Sequence, residues 1–251
     1  MSIKKQIPNL LTLGNLLCGT IAAIFAVNAM FTETAIFVVA GIVFDFFDGF
    51  AARLLNVSGE LGKQLDSLAD MVTSGVVPGI VMFQLITINS ESYLNGVFNW
   101  TDSGGVTEIF NISLLGLILT LGACYRLAKF NIDTRQSDSF IGLPTPAMSL
   151  FVISLPLIIE YSDYNFVNNL IENNYFLITV TLILTFLMNA EIPLFSLKFK
   201  DYSFKKNIIK YVFLLISLGL IIGLPVLAIP IIIILYVLIS IFDNYGKKAK
   251  I

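Results

Sequence analysis

Residues 43–53 of this chain read VFDFFDGFAAR, a run in which two aspartates and one arginine interrupt an apolar segment. At 3.6 residues per turn, Asp45, Asp48, Ala52 and Arg53 fall on one stripe of a helix, and phenylalanines cover its other faces. Ionisable groups are costly in an apolar helix and are kept there where they bind a partner. The stretch predicts a membrane-spanning helix with a polar stripe at one end.

Residues 60–74, ELGKQLDSLADMVTS, repeat this pattern, with Gly62, Asp66 and Asp70 at successive steps of four. A short turn separates the two stretches, so the two stripes are expected to face each other. We call the four acids on these stripes the aspartate cluster: Asp45, Asp48, Asp66 and Asp70. Four clustered carboxylates repel one another unless cations neutralise them, and oxygen ligands select hard ions such as Mg²⁺, Mn²⁺ or Ca²⁺. The cluster predicts a site for two metal ions.

The two stripes also carry residues without bulk, namely Gly49, Ala52 and Gly62. Glycine within a helix costs about 1 kcal/mol relative to alanine, so its presence needs a reason. The space would let a diphosphate approach the backbone, while Arg53 could bind phosphate oxygens or orient an aspartate. In the alternative, the acids simply pair with Arg53 and Lys63. This alternative is less favoured, because two cations would leave two of the four carboxylates without a compensating charge. It also does not explain why glycine occurs on both stripes.

The composition predicts that the whole chain is membrane-embedded, because 57% of its 251 residues are apolar and 13% are charged, against about 25% charged in soluble proteins. Apolar windows near the bilayer-crossing length of about 20 residues predict eight transmembrane helices. They cover residues 9–28, 34–55, 61–88, 109–130, 144–160, 175–190, 207–223 and 225–242. We therefore expect an all-α integral membrane protein with a single domain over residues 1–251.

The distribution of charge predicts the orientation. All 15 lysines and arginines fall on one side of the eight crossings, and such residues collect in the cytoplasm. Both termini and the aspartate cluster are therefore expected on the cytoplasmic side of the cell membrane, and no signal peptide is expected. The absence of histidine excludes the commonest general base, and the net charge of −2 argues against a nucleic-acid partner.

The spacing Asp45-x2-Asp48-Gly49-x2-Ala52-Arg53-x8-Gly62-x3-Asp66-x3-Asp70 matches the signature of the CDP-alcohol phosphatidyltransferases at every fixed position. Four further segments resemble the phosphatidylserine synthase branch of that family: 7–15 (IPNLLTLGN), 125–131 (YRLAKFN), 142–147 (GLPTPA) and 193–198 (PLFSLK). The resemblance implies transfer of a phosphatidyl group from CDP-diacylglycerol to L-serine, with release of CMP. The resemblance further implies that Asp45, Asp48 and Asp66 bind metal ions, either Mg²⁺ or Mn²⁺. It implies that Asp70 is both a metal ligand and the general base.

The resemblance also suggests where the two substrates bind. Asn9 and Thr12 resemble the family's cytidine-contacting segment, although an ordinary helix start explains them equally. The expected donor-binding residues are Asn9, Thr12, Gly49, Ala52, Arg53 and Gly62. A serine carboxylate needs a cation nearby, and the candidates are Arg126, Lys129 and Arg135, with Asn131 as a neutral donor. Basic residues at helix ends are also what topology alone requires, so that alternative stays open.

Other functions remain possible at this point. A sister enzyme could use glycerol 3-phosphate or an inositol phosphate as acceptor, although a phosphate would favour a denser arginine cluster. A cation transporter could use the aspartates as an ion path, although its acids should run across the whole bilayer. Ether-linked and ester-linked donors present the same head group. The expected partners are membrane lipids and a second copy of the chain in a homodimer.

Overall fold

The computed structural model describes residues 3–57, 59–94, 112–133, 140–195, 203 and 207–248. Within these ranges the protein is all-α apart from one two-residue antiparallel pair, β1 with β2. The α-helices are α1 Ile3–Val27, α2 Phe31–Leu54, α3 Glu60–Asp70, α4 Val77–Leu94, α5 Ile118–Ile132, α6 Thr145–Tyr161, α7 Asn165–Ile171, α8 Asn174–Asn189, α9 Ile208–Gly223 and α10 Ala228–Lys248. The other elements are a π-helix Met71–Val76, a 3-10 helix Ile112–Leu117, β1 Phe140–Ile141 and β2 Pro193–Leu194.

The length and composition of the described helices confirm the all-α membrane class. Four segments are long and apolar enough to cross a membrane: Gln6–Val27, Phe31–Leu54, Glu60–Ser90 and Ile112–Ile132. α7 and α8 pass the same test together but bend by 74°, which gives up to five crossings. The fifth, seventh and eighth predicted crossings correspond to shorter apolar helices, Thr145–Tyr161, Ile208–Gly223 and Ala228–Asp243. Eight crossings and cytoplasmic termini therefore stay predictions.

Several helix boundaries differ from the predicted ones. α1 begins at Ile3 and includes Pro8 in its second turn, where the ring removes only one backbone hydrogen bond near the helix end. α4 continues as far as Leu94, into the predicted loop. The short helix α7 was not predicted, because its asparagine-rich sequence NFVNNLI lacks the apolar run by which crossings are recognised.

Polar contacts mark the two ends of the helix bundle. At one end Lys63 Nζ donates a hydrogen bond to the backbone oxygen of Asn131, which links the start of α3 to the end of α5. At the opposite end Thr32 Oγ1 donates to Glu160 Oε2 at 3.0 Å, which links α2 to α6. The aspartate cluster lies at the Lys63 end, as the charge distribution predicts.

Small residues let α1, α2 and the π-helix approach one another closely. A Cβ atom on Gly19 would lie 2.2 Å from Thr73 Oγ1, and one on Gly41 would lie 2.8 Å from Asn15 Oδ1. Glycine is thus required at both positions, since neither contact leaves room for a methyl group. This packing holds the polar stripes of α2 and α3 beside α1.

Candidate active site

Three of the four predicted metal ligands come together in the structure. One carboxylate oxygen from each of Asp45, Asp48 and Asp66 lies within 4.8 Å of the other two, and we call these residues the carboxylate triad. Asp48 is buried, and the other two are half-buried. Oxygens bound to one Mg²⁺ at about 2.1 Å lie roughly 3 to 4 Å apart, so the triad fits a hard divalent cation after small side-chain adjustments.

Asp70 follows Asp66 by one turn of α3 but is not part of this triad. Its Oδ1 accepts a hydrogen bond of 3.1 Å from Asn15 Nδ2 on α1. The sequence pattern placed all four acids on facing stripes. The structure separates them into three carboxylates whose oxygens lie within reach of one ion and a fourth, Asp70, that is bonded to Asn15.

The described basic side chains form no ion pair with the aspartate cluster. Over the described residues, no lysine or arginine nitrogen lies within 4.0 Å of a carboxylate oxygen of the four aspartates. Arg53 is exposed, and Lys63 donates to the Asn131 carbonyl instead. The alternative in which Arg53 and Lys63 pair with the acids therefore has no support among the described contacts.

A cavity of about 460 Å³ opens beside the triad, between the start of α1, the end of α2 and the start of α3. Asp48 and Asp66 form part of its wall. Five of the six expected donor-binding residues also line it: Asn9, Thr12, Gly49, Ala52 and Gly62. The sixth, Arg53, is not among the lining residues. The cavity thus collects the signature residues of both stripes and the predicted segment of α1 around one space.

The two glycines of the signature leave the cavity wall open without being needed for helix packing. A Cβ atom on Gly49 would come no closer than 3.9 Å to another atom, Arg53 Nη1. One on Gly62 would lie 3.4 Å from Asn9 Oδ1. Both are ordinary van der Waals distances, unlike the contacts at Gly19 and Gly41. The packing of the protein alone therefore does not explain glycine at these two positions, whereas a ligand in the cavity would.

Arg126 occupies the inner side of α5 near Asp70. Only 7% of the residue is exposed, its charge interacts with that of Asp70, and its guanidinium carbon lies 5.8 Å from the centre of the Phe130 ring. The Nε atom is buried and has no hydrogen-bond partner. An unpaired buried donor costs about 1 to 3 kcal/mol, so a guanidinium in this state is suited to binding an anion.

The other expected acceptor residues have protein partners or lie outside the described ranges. Lys129 Nζ pairs with Glu191 Oε1 at 3.3 Å. Asn131 Nδ2 donates to Ser67 Oγ at 2.9 Å. Arg135 is outside the described residues. Arg126 is therefore the expected acceptor residue for which the structure provides an unpaired buried donor.

A family model described as CDP-alcohol phosphatidyltransferase matches residues 5–188, which is more than half of the chain. The chain belongs to that family. The matched region includes the carboxylate triad, the cavity and Arg126. The members of this family are phosphotransferase enzymes, so the predicted class of activity is confirmed.

Within the CDP-alcohol phosphatidyltransferase family, the chain is similar to several proteins whose names give serine as the acceptor. It is 31% identical over 155 residues to the CDP-diacylglycerol–serine O-phosphatidyltransferase of Bacillus subtilis, which covers 60% of this chain and 75% of the relative. The protein of the same name from Helicobacter pylori (strain 26695) is 29% identical over 191 residues, 75% of this chain and 72% of the relative. An archaetidylserine synthase from Methanothermobacter thermautotrophicus is 26% identical over 160 residues, 62% and 60% of the two chains.

Two features of this family member were not predicted as parts of the site. Asn15, which is completely buried, bonds to Asp70, and the available signal was its position at the end of segment 7–15. The turn between the stripes also contributes to the cavity wall, with Val57 and Gly59, and so does the first residue of α3, Glu60. Neither contact follows from spacing along one helix, because both depend on how separate elements pack.

Proposed function

We propose that this chain transfers the phosphatidyl group of CDP-diacylglycerol to the hydroxyl group of L-serine, which gives phosphatidylserine and CMP. The observation that carries the proposal is the carboxylate triad at the wall of a cavity lined by the signature residues of both stripes. The names of the relatives favour serine as acceptor. The chain type of the lipid donor stays open, because ether-linked and ester-linked donors share the head group that the cavity would receive.

In this proposal the triad of Asp45, Asp48 and Asp66 holds Mg²⁺ or Mn²⁺, and Asp70 contributes to a second ion. Bound divalent ions would polarise the diphosphate and stabilise the charge on the departing CMP. Thr12 supports the first ion indirectly, because its hydroxyl group bonds to Asp48. Gly49, Ala52 and Gly62 give the diphosphate access to the helix backbone, and Asn9 and Thr12 face the nucleotide end of the donor.

Asp70 is the proposed general base. Its carboxylate takes the proton of the serine hydroxyl group while that oxygen forms a bond to the phosphorus atom of the phosphatidyl group. The bond between this phosphorus and the bridging oxygen breaks, and CMP leaves with the bonding electron pair. Asp70 then returns the proton to water. Because the acceptor attacks phosphorus directly, no covalent intermediate with the enzyme is required.

The acceptor carboxylate is assigned to Arg126, which is buried and close enough to Asp70 for their charges to interact. A doubly charged phosphate acceptor would favour several cations at this place. Among the described residues, Lys129 is committed to Glu191 and Lys63 donates to a carbonyl group. A single guanidinium group with an unpaired Nε is a better match for a carboxylate than for a phosphate, which favours serine over glycerol 3-phosphate or an inositol phosphate.

The proposed location of the reaction is the cytoplasmic face of the cell membrane. In the predicted topology of eight crossings, the basic residues of the sequence lie on the side of the aspartate cluster, and such residues remain in the cytoplasm. The lipid chains of the donor would enter sideways from the bilayer, next to the cavity. A homodimer surrounded by membrane lipids stays a prediction.

Release of CMP from CDP-diacylglycerol, measured on the purified protein in detergent with Mn²⁺ or Mg²⁺, tests this function. L-serine, glycerol 3-phosphate and an inositol phosphate are supplied one at a time, and the Asp66→Asn variant is the control for the signature. Of the three acceptors, we expect L-serine and neither phosphate compound to support release of CMP. The lipid product should be phosphatidylserine. CMP with a phosphate acceptor and not with serine would assign the chain to a sister enzyme. The absence of CMP with every acceptor would favour the transporter alternative.

A further inference from the structure

We propose that Asn15 and Thr73 are positioning residues, which together hold the Asp70 carboxylate in the orientation required of a general base. The inference rests on the proposed role of Asp70 but not on serine as the acceptor. It concerns residues outside the signature, on α1 and on the π-helix.

The three side chains form a hydrogen-bonded chain in the core. Thr73 Oγ1 donates to Asn15 Oδ1 at 2.8 Å, and Asn15 Nδ2 donates to Asp70 Oδ1 at 3.1 Å. Asn15 and Thr73 are both completely buried. Water therefore cannot replace either bond, and the position of the Asp70 carboxylate depends on the amide that holds one of its oxygens.

The chemistry of the groups determines the direction of both bonds. An ionised carboxylate only accepts hydrogen bonds, so Asn15 must present its Nδ2 atom to Asp70. Its Oδ1 atom then faces Thr73, where the hydroxyl group is a donor. The Asp70 carboxylate thus fixes the orientation of the Asn15 amide. The Thr73 hydroxyl group lies 2.8 Å from Asn15 Oδ1 and 3.2 Å from the Asn15 backbone oxygen, and by donating to the nearer acceptor it supports that orientation. Asp70 Oδ2 takes no part in this chain of bonds. In this proposal the second oxygen, Oδ2, takes the substrate proton.

The surrounding backbone is built around this pair. A Cβ atom on Gly19 would clash with Thr73 Oγ1, and one on Gly41 would lie 2.8 Å from both Asn15 Oδ1 and Thr73 Cγ2. Thr73 lies in the π-helix that begins directly after Asp70, and single π turns within α-helices are frequent at functional sites. The two glycines and the π-helix thus pack directly against Asn15 and Thr73, the two side chains proposed to orient Asp70.

A positioning role predicts a specific split in the kinetics of Thr73→Val, which removes the hydroxyl group at nearly constant volume. We expect kcat to fall about 10-fold or more, as is usual when a partner of a functional side chain is removed, while the KM for CDP-diacylglycerol stays within about 2-fold. Thr73→Ser keeps the hydroxyl group and should retain most of the turnover. Thr181→Val is the matched control, since Thr181 is also completely buried and its hydroxyl group donates to the Leu177 carbonyl within its own helix.

A double-mutant cycle separates positioning from general support of the fold. Residues that act through one another are not additive, so Thr73→Val should cost less than about 2-fold in an Asp70→Asn background. Asn15→Leu should show the same dependence, which provides a second variant if Thr73→Val does not fold. Residual turnover is followed as radiolabelled product over hours, with whichever acceptor releases CMP. Binding of the first Mn²⁺ ion, which the carboxylate triad would hold, is measured by calorimetry without substrates and should stay within about 3-fold of wild type in Thr73→Val.

Several outcomes would overturn the inference: wild-type kcat in folded Thr73→Val, equal losses in Thr73→Ser and Thr73→Val, the same factor in both backgrounds, or a 10-fold loss of Mn²⁺ affinity. The last result would mean that the pair supports metal binding and not the base. If Asp70→Asn alone keeps full turnover, the proposed base itself is wrong. That result is distinct from additivity, which would remove only the positioning role.

Discussion

Thr12 Oγ1 on α1 lies 2.5 Å from Asp48 Oδ2 on α2, and both residues are almost completely buried. A second acceptor, the Pro8 carbonyl, lies 3.1 Å from the same hydroxyl group. A hydroxyl group has one hydrogen, and the shorter contact to a charged acceptor is the stronger one. The first helix is thus bonded directly to one member of the carboxylate triad.

Thr12→Val should lower activity through this bond. Loss of the hydroxyl group leaves Asp48 free to turn away from the other two acids, and loss of such a partner costs about 10- to 100-fold in metal affinity or activity. Calorimetry with Mn²⁺ and the rate of CMP release are the two measurements. Thr20→Val is the matched control on the same helix, because Thr20 is exposed and its hydroxyl group donates to the Leu16 carbonyl of α1 itself. Unchanged Mn²⁺ affinity in Thr12→Val would mean that Asp48 is held by other contacts.

Asp45→Asn and Asp66→Asn should each abolish measurable turnover, with a loss greater than about 10²-fold. Both variants remove a charge and keep the shape of the side chain, so the protein should still fold. Replacing a metal ligand should lower activity more than replacing a residue that hydrogen-bonds to a ligand, and the latter change lowers activity by up to about 100-fold. Turnover and the Mn²⁺ affinity are measured together with the melting temperature, and Asp48→Asn is expected to behave alike. Normal turnover in a folded variant would contradict the metal site.

Gly62→Leu should weaken binding of the donor without disturbing the fold. The side chain would extend into the cavity, where its Cβ meets no atom closer than 3.4 Å. We expect the KM for CDP-diacylglycerol to rise about 10-fold or more, with a smaller change in melting temperature. Gly219→Leu on α9 serves as control, since a Cβ atom there has no neighbour within 4 Å and lies outside the cavity. An unchanged KM in Gly62→Leu would place the diphosphate elsewhere.

The carboxylate triad could be predicted from sequence because its geometry follows from helical spacing. Asp45 and Asp48 are one turn apart on α2, and Asp66 follows a short connection, so little besides two helices and a turn is needed to bring them together. Long apolar runs likewise predicted the four longest crossings. In both cases the relevant signal lies within one helix or one helical hairpin.

The contacts of Asp70 could not be predicted in the same way. The partner Asn15 is 55 positions away. Their contact requires α1, α2 and the π-helix to pack closely at Gly19 and Gly41, and the role of these glycines is apparent only from the neighbouring atoms. The π-helix after Asp70 has no periodic signature of its own. The acceptor candidates were ambiguous for another reason, since basic residues at cytoplasmic helix ends serve topology and substrate binding equally. Burial distinguishes Arg126 from Lys129, and no sequence pattern gives burial at a helix end.

The assignment of the acceptor depends most directly on Arg126. If its guanidinium binds the serine carboxylate, Arg126→Ala should raise the KM for serine and leave that for CDP-diacylglycerol nearly unchanged. A lost hydrogen bond to a charged group costs roughly 1.5 to 3 kcal/mol, which corresponds to about 10- to 150-fold in KM. Arg126→Lys should recover only part of the loss, because an ammonium group cannot bind both carboxylate oxygens with a planar fork. Initial rates of CMP release at varied serine and donor concentrations provide both constants.

Serinol, which lacks the carboxylate group, provides the chemical control for this interaction. It should be a poor acceptor for the wild-type protein and should lose much less than serine does when Arg126 is replaced by alanine, since the mutation removes a partner that serinol never had. If Arg126→Ala instead raises the KM for CDP-diacylglycerol and leaves serine unaffected, the buried guanidinium belongs to the phosphate side of the site. The cation for the carboxylate would then have to be sought at Arg135, the remaining arginine that follows α5 in the sequence.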